Sequence, residues 1–364
     1  MKGAIMFQSQ LPSFSQKRKD DHVKYALEQQ SQKKISAFEG IRFVHQSFAP
    51  LTLDQIQLTT HWADTIHQVP FYINGMTGGS AKTKQYNEAL GQVAAATGLA
   101  MATGSVSGAL SDESVRDSFT IVRKVNPNGF VMANLGAHHD LENAKRAVDL
   151  LEANALQIHL NVPQEIVMPE GDRDFTSWSK NIETIVRELP VPVIVKEVGF
   201  GMSRETIQHL IQLGVKNIDV SGRGGTNFIQ IENERREKLD YQAIAGWGQT
   251  TPESLLEAQP FLNQTTILAS GGITDYLDIV KALALGANAV GLSGRFLQMV
   301  HEQGVEQSIE VIENWKEAIQ HLMLMLNAKS VKDLHQVNLI LSSDLRDWAD
   351  ARQIEWRHFG NRQQ

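Results

Sequence analysis

An alternation narrows the fold more than any other feature. From Phe71 onward the chain offers eight short apolar segments, at 71–74, 99–103, 130–134, 155–160, 193–196, 218–220, 266–269 and 289–292, separated by stretches of helical periodicity. Short apolar runs bounded by turn residues read as buried strands. Strands that alternate with helices pair in parallel, because each crossover carries the chain back along one face of the sheet. Most strand starts lie about 25–30 residues apart, the length of a compact strand–helix unit. Helix ends are marked as well. Thr251 before Pro252 reads as a cap and first helical position, Ser203 opens a helix closed by Gly214, and Thr274 opens one closed by Gly286. Gly98, Gly214 and Gly286 each precede a serine (Ser105, Ser221, Ser293) by seven residues, and LGVKNIDVSG (213–222) echoes LGANAVGLSG (285–294). Eight such units predict an α/β fold, a (β/α)8 TIM barrel with its site at the C-terminal ends of the strands. A doubly wound sheet is the runner-up, but the chain has neither a G-x-G-x-x-G turn nor a phosphate-loop motif.

The barrel is expected over 71–327, with an N-terminal arm over 1–70 and a helical tail over 328–364. Residues 1–16 read as a flexible extension, and the charged cluster at 17–24 reads, on composition alone, as a solvated arm. A helical pattern over 305–327 reads as decoration or subunit contact. The absence of cysteine excludes disulfides, thiolate nucleophiles and thiolate-held metal clusters. Lys+Arg 34 against Asp+Glu 41 leaves a charge of −7, which argues against a nucleic-acid partner. No apolar run approaches the length of a membrane span, and the first residues do not form a signal peptide, so a cytoplasmic protein without a membrane partner is expected.

Polar residues gather where the strands end. Met76-Thr77-Gly78-Gly79 follows the first strand, Ser105 ends the second and Asn134 the third. His159, Asn161, Gln164 and Glu165 follow the fourth. Lys196 and Glu197 end the fifth, Ser221 and Thr226 follow the sixth, Gly271-Gly272-Ile273 the seventh, and Ser293-Gly294-Arg295 the eighth. The two last loops suit a phosphate, which barrels bind with backbone N–H groups beside a helix N-terminus. Lys196 needs an anionic partner. Adjacent strand residues face opposite sides, so Glu197 is not that partner and a bound anion is. Glu165, a single carboxylate, suits Mg2+ shared with substrate phosphates. His138-His139-Asp140 looks metal-like but reads as the opening of a helix. The longer gaps, at 161–179 and 222–250, place polar loops on the same face.

These residues resemble a known family, the FMN-dependent type 2 isopentenyl-diphosphate isomerases. The matches are Arg18-Lys19-Asp20-Asp21-His22, Met76-Thr77-Gly78-Gly79, Ala133-Asn134-Leu135-Gly136, Gln157-Ile158-His159-Leu160-Asn161 with Gln164-Glu165, Lys196-Glu197-Val198-Gly199, Ser221-Gly222-Arg223-Gly224-Gly225-Thr226 and Ala269-Ser270-Gly271-Gly272-Ile273. The resemblance implies an isomerase of isoprenoid biosynthesis that interconverts isopentenyl and dimethylallyl diphosphate with reduced FMN and Mg2+. It also implies NADPH only as the reductant of the flavin, and assembly as a homo-tetramer or homo-octamer. By carry-over, Met76, Thr77, Gly78, Ser105, Asn134, Lys196, Ser221, Thr226, Gly271, Gly272, Ile273, Ser293 and Gly294 hold FMN. Arg18, Lys19, His22 and His159 bind diphosphate, Gln164 contacts substrate, and Glu165 binds the metal. The charged cluster then becomes a lid. Where many family members carry an arginine two residues after Ser105, this chain has Val106-Ser107, and Arg116 or Lys124 are the candidates to replace it.

Shifting a double bond by one carbon adds a proton at one carbon and removes one from another. The unrelated type 1 isomerase uses a cysteine for this, which the present chain lacks. Reduced flavin offers an acid–base centre at N5, with Gln164 and His159 beside it to orient or relay. The competing expectation is an FMN barrel oxidoreductase of the 2-hydroxy-acid oxidase type, which needs a histidine beside an arginine near the flavin. The late strands show no such pair. A second competitor is a barrel that binds flavin or phosphate without catalysis.

Overall fold

The computed structural model describes residues 14–32 and 35–362. All eight expected strands form: β1 (Phe71–Ile73), β2 (Met101–Ala102), β3 (Val131–Gly136), β4 (Ala155–His159), β5 (Val193–Lys196), β6 (Asn217–Asp219), β7 (Thr266–Ser270) and β8 (Ala289–Leu292). Each runs parallel to its neighbours, and β8 closes onto β1 with Val290 opposite Phe71 and Leu292 opposite Ile73. Side chains alternate across the barrel wall. Tyr72, Ala102, Met132, Ile194, Leu268 and Ala289 fill the interior, while Phe71, Ile73, Val131, Ala133, Val195 and Val290 pack outward under the helices.

The N-terminal end of the barrel is plugged. A hairpin of Thr60–Trp62 and Thr65–His67 turns through Ala63 and Asp64, both with positive φ. The Ala63 N–H donates to Asn217 at 3.0 Å, and Trp62 stacks on His67 and tilts against Tyr72 in the barrel floor. With the barrel interior filled at that end, its mouth lies at the C-terminal ends of the strands.

Several helix ends fall where the sequence places them. Ser203 caps Arg204–Gln212, Asp140 caps Leu141–Leu151, and Gly214 and Gly286 stop their helices at φ +86 and +108. Two caps shift by one residue. Thr250, not Thr251, caps Thr251–Ala258, because its hydroxyl accepts from the Glu253 N–H while the Glu253 carboxylate accepts from the Thr250 N–H. Asp275, not Thr274, caps Tyr276–Ala284, since its carboxylate reaches two first-turn N–H groups; Thr274 instead donates to Asp278.

The tail is not purely helical: Leu339–Leu341 pairs antiparallel with Ile41–Phe43 and ties the C-terminal segment to the N-terminal one. The late helical pattern belongs to a longer helix, Gly294–Met325, broken by Gly304 at φ +76. The extension expected over 1–16 lies outside the described residues up to 13; from residue 14 the chain is already in the helix Phe14–Ser31. Among the described residues no helix is long and apolar enough to cross a membrane.

Candidate active site

A cavity of about 680 Å3 opens at the C-terminal ends of the strands, within the size range of cofactor and small-molecule sites. Its wall includes Met76, Ser105, Asn134, His159, Gln164, Glu165, Lys196, Ser221, Thr226, Gly271, Gly272, Ile273, Ser293 and Gly294, joined by Arg18, Lys19 and His22 from the N-terminal helix. Two sequence candidates stand behind the wall. Thr77 is buried, its hydroxyl bonded to Asn87 and its carbonyl accepting the Gly104 N–H. Gly78, at φ +135, lies against the Phe119 ring, which a Cβ there would meet at 2.0 Å. Both shape the turn after β1 rather than face the cavity.

One end of the cavity is made of backbone. The loops after β6 and β7 touch main chain to main chain. A Cβ on Gly271 would lie 2.0 Å from the Gly222 carbonyl, and one on Gly225 3.0 Å from the Gly272 nitrogen. Next to them, Ser293 and Gly294 begin the helix Gly294–Met325, whose first turn has no side-chain cap. Free N–H groups and the positive end of a helix dipole favour a phosphate there. Arg295 also lines this end, with its Nε buried and without a partner among the described residues.

Lys196 lies at the barrel mouth, 5% exposed. Its Nζ donates to the Glu197 carbonyl at 2.6 Å, leaving two of its three N–H donors for the cavity. The Glu197 carboxylate turns away and accepts the N–H groups of Val198, Gly199 and Phe200. Burial lowers the Lys196 pKa, opposed by the charges of Asp219 and Glu197. Burial also lifts Glu197 to about 8, against its three backbone bonds. A buried cation with free donors fits an anionic ring or phosphate. The glycine wall, the uncapped helix and this lysine together fit a flavin nucleotide.

The other end is made of side chains. The N-terminal helix docks across the barrel mouth: Gln29 exchanges hydrogen bonds with the backbone of Asn227, and His22 Nε2 meets Glu232 at 2.9 Å. Glu232 is fully buried and also accepts from Gln164 at 2.9 Å and from Arg235. Against the cost of burial, His22, Gln164 and Arg235 hold its carboxyl near 2. Glu170 joins Arg18 (3.4 Å) to Arg235 (2.7 Å). Lys19 is pushed down to about 8 by burial and by the neighbouring Arg18. The cluster at 17–24 is therefore docked rather than a solvated arm. Glu232, its main anchor, escaped the sequence reading because a lone acid on a short helix (Phe228–Glu234) carries no local signal.

Glu165 lines the cavity with its carboxylate accepting from Asn161 (2.8 Å) and the Asp172 N–H (2.9 Å). Among the described residues no group of three or more His, Cys, Asp or Glu side chains could hold a metal ion. A metal at Glu165 would take its remaining ligands from substrate and water, as Mg2+ commonly does. His139 bonds Ser107 at 2.9 Å beside the helix that Asp140 caps. The suggested stand-ins for the missing arginine do not reach the site. Arg116 pairs with Glu113 and Lys124 with Asp117, and neither lines the cavity.

This fold and site define the class of FMN-dependent dehydrogenase barrels, and residues 111–341 match the family model described as FMN-dependent dehydrogenase, the family whose cofactor is FMN. Solved structures of flavocytochrome b2 (TM-score 0.63, 18% identity, 93% of this chain and 82% of that one) and mandelate oxidase (TM-score 0.58, 17% identity, 84% and 89%) share the fold. Closer in sequence is the isopentenyl-diphosphate delta-isomerase of Latilactobacillus sakei, 50% identical over 342 residues, 94% of this chain and 98% of that protein. Those of Staphylococcus saprophyticus (48%, covering 94% and 98%) and Staphylococcus epidermidis (47%, covering 93% and 96%) are similar. The chain belongs to the isopentenyl-diphosphate delta-isomerase family.

Proposed function

We propose that this protein interconverts isopentenyl and dimethylallyl diphosphate, with FMN kept reduced by NADPH and with Mg2+ bound alongside the substrate. The observation that carries this reading is the junction within one cavity of a backbone-walled end suited to FMN and a basic, helix-covered end suited to diphosphate. Bound and reduced, FMN supplies an electron-rich ring and an acid–base centre at N5. The chain supplies the rest. Gly271, Gly272, Ile273, Ser293 and Gly294 offer N–H groups to the FMN phosphate. Met76, Ser105, Asn134, Ser221 and Thr226 border the ring and ribityl chain, with Thr77 and Gly78 supporting from behind. Lys196 stabilises negative charge on the reduced ring. Arg18, Lys19, His22 and His159 bind the diphosphate, Glu165 shares Mg2+ with it, and Gln164, fixed by Glu232, orients the alkene end. The docked helix keeps water from the cation-like transition state.

A hydroxy-acid oxidase would need a histidine beside the flavin from the late strands. The histidines lining this cavity, His22, His138 and His159, come from the N-terminal helix, the loop after β3 and the end of β4. Cytoplasmic residence and assembly as a tetramer or octamer complete the reading; assembly would cover exposed apolar side chains such as Phe48 and Met325. The test is incubation of isopentenyl diphosphate in D2O with the FMN-loaded protein, Mg2+ and dithionite. Deuterium in both isomers, at many turnovers per flavin, is expected. A bleached flavin with unchanged substrate would reject the isomerase, as would one NADPH consumed per turnover when NADPH replaces dithionite.

A further inference from the structure

A chain of buried polar side chains crosses the barrel and ends at His159. It starts at Asp219, fully buried on β6, whose carboxylate only accepts. Tyr72 Oη (3.0 Å) and Asn74 Nδ2 (2.9 Å) donate to Oδ2, Ser270 Oγ donates to both oxygens, and the Ser221 N–H donates to Oδ1. Tyr72 keeps its proton, since burial and the Asp219 charge raise its pKa well above the ordinary value.

Asn74 must therefore turn its NH2 toward Asp219. Its carbonyl oxygen faces the other way, where it accepts the Gly75 N–H at 2.9 Å. A carboxylate that cannot donate and a backbone N–H that cannot accept fix this amide from both ends. The direction then propagates. Gln157 Nε2 donates to Asn74 Oδ1 (2.9 Å), Asn134 Nδ2 donates to Gln157 Oε1 (3.1 Å), and Asn134 Oδ1 faces His159 Nδ1 (2.8 Å). Reversing any one amide would set oxygen against oxygen and NH2 against NH2 in a buried row.

An amide oxygen can only accept, so the proton sits on Nδ1. We infer that the Asp219–Asn74–Gln157–Asn134 chain locks His159 as the Nδ1–H tautomer, which offers an unprotonated Nε2 to the cavity and grips a phosphate oxygen only after taking up a proton there. The second half of this inference rests on the diphosphate reading above; the first does not. The surroundings agree. Burial, Lys196 on β5, Lys19 on the N-terminal helix, and His138 and His139 after β3 all hold the free ring neutral. An arriving diphosphate reverses the sign of the local field, and Nε2 then takes a proton from a buffer acid in solution, which is left as its conjugate base. Asp219, Asn74 and Gln157 thus act as positioning residues.

Two measurements on the full-length FMN holoenzyme test this. Neutron diffraction should place a deuteron on His159 Nδ1 and none on Nε2; a deuteron on Nε2 with Nδ1 bare overturns the lock. Calorimetry of inorganic pyrophosphate binding, in buffers of different ionisation heat, should show the native protein taking up about one more proton than His159→Gln. Equal uptake overturns the coupling. No pyrophosphate binding by either protein would instead reject the diphosphate reading, leaving the neutron map to decide the tautomer. Asp219→Asn ends the chain in a group that can donate or accept, and Gln157→Met cuts it midway. In whichever of the two folds, the tautomers should mix and the proton uptake should fall toward that of His159→Gln. A merely structural role would leave the uptake unchanged.

Discussion

The two ends of the cavity are built in different ways. The end walled by Gly222, Gly225, Gly271 and Gly272 is backbone, rigid by contact of main chain with main chain. The end under the N-terminal helix is a web of long side chains, Arg18, Lys19, His22, Gln164, Glu170, Glu232 and Arg235, whose cross-links between segments join residues from 65 to 210 positions apart in sequence. Backbone donors hold no titratable proton and cannot move without moving the barrel. Lys19 and His22 titrate, and with Arg18 they reach the site only while the N-terminal helix is docked. The first end suits a cofactor that stays, the second a substrate that comes and goes.

Mutations should separate the ends. The largest effect is expected from Gly271→Ala, which puts a Cβ on a residue at φ +90 and against the Gly222 carbonyl. FMN binding should weaken by about a hundredfold or more, read as flavin lost on desalting. Full retention would show that the loops after β6 and β7 need not touch. Lys196→Ala should weaken FMN by about tenfold to a hundredfold, a charge-assisted contact, and the reduced form more than the oxidised one. An unchanged midpoint potential with full FMN retention would remove Lys196 from the flavin end.

At the other end, Arg18→Ala should raise KM for isopentenyl diphosphate by about tenfold, with kcat and flavin content little changed. An unaltered KM would return the helix to a mere cover. Glu165→Gln should leave FMN bound and raise the Mg2+ concentration needed for half-maximal activity several-fold; activity unchanged at limiting Mg2+ would take the metal away from Glu165.

The smallest effect is on pH dependence. Lys19 titrates near 8 rather than at its ordinary 10.5, so its charge is present below that pH and lost above it. Pyrophosphate affinity should fall severalfold as pH rises through about 8, and Lys19→Met should flatten that step. FMN retention should show no matching step, because backbone donors do not titrate.

The contrast between the ends also explains what the sequence reveals. The strands and the glycine-rich turns are local patterns, so all eight strands and the phosphate-suited loops after β7 and β8 can be read without a structure. Thr77 and Gly78 lie in a motif of the right kind, but which residues of a turn face the cavity depends on packing against Phe119 and Asn87. The docking of the charged cluster at 17–24 is not local at all. Composition points to a solvated arm, and only the family resemblance places it over the site, because its partner Glu232 is 210 residues from His22. Asp219 and Gln157 were legible in principle: a charged and an amide side chain inside otherwise apolar strands must find buried partners. The residue two positions after Ser105 remains a serine, Ser107, bonded to His139, and no cation from Arg116 or Lys124 replaces the arginine.

One cavity that holds flavin at its backbone end and diphosphate at its side-chain end is the arrangement proposed for this protein. A crystal structure of the reduced holoenzyme with isopentenyl diphosphate and Mg2+ tests it most directly. The FMN phosphate is expected at Gly271–Ile273 and Gly294, and the diphosphate among Arg18, Lys19 and His22. A diphosphate bound outside the N-terminal helix, or FMN lying away from the β7 and β8 loops, would contradict it.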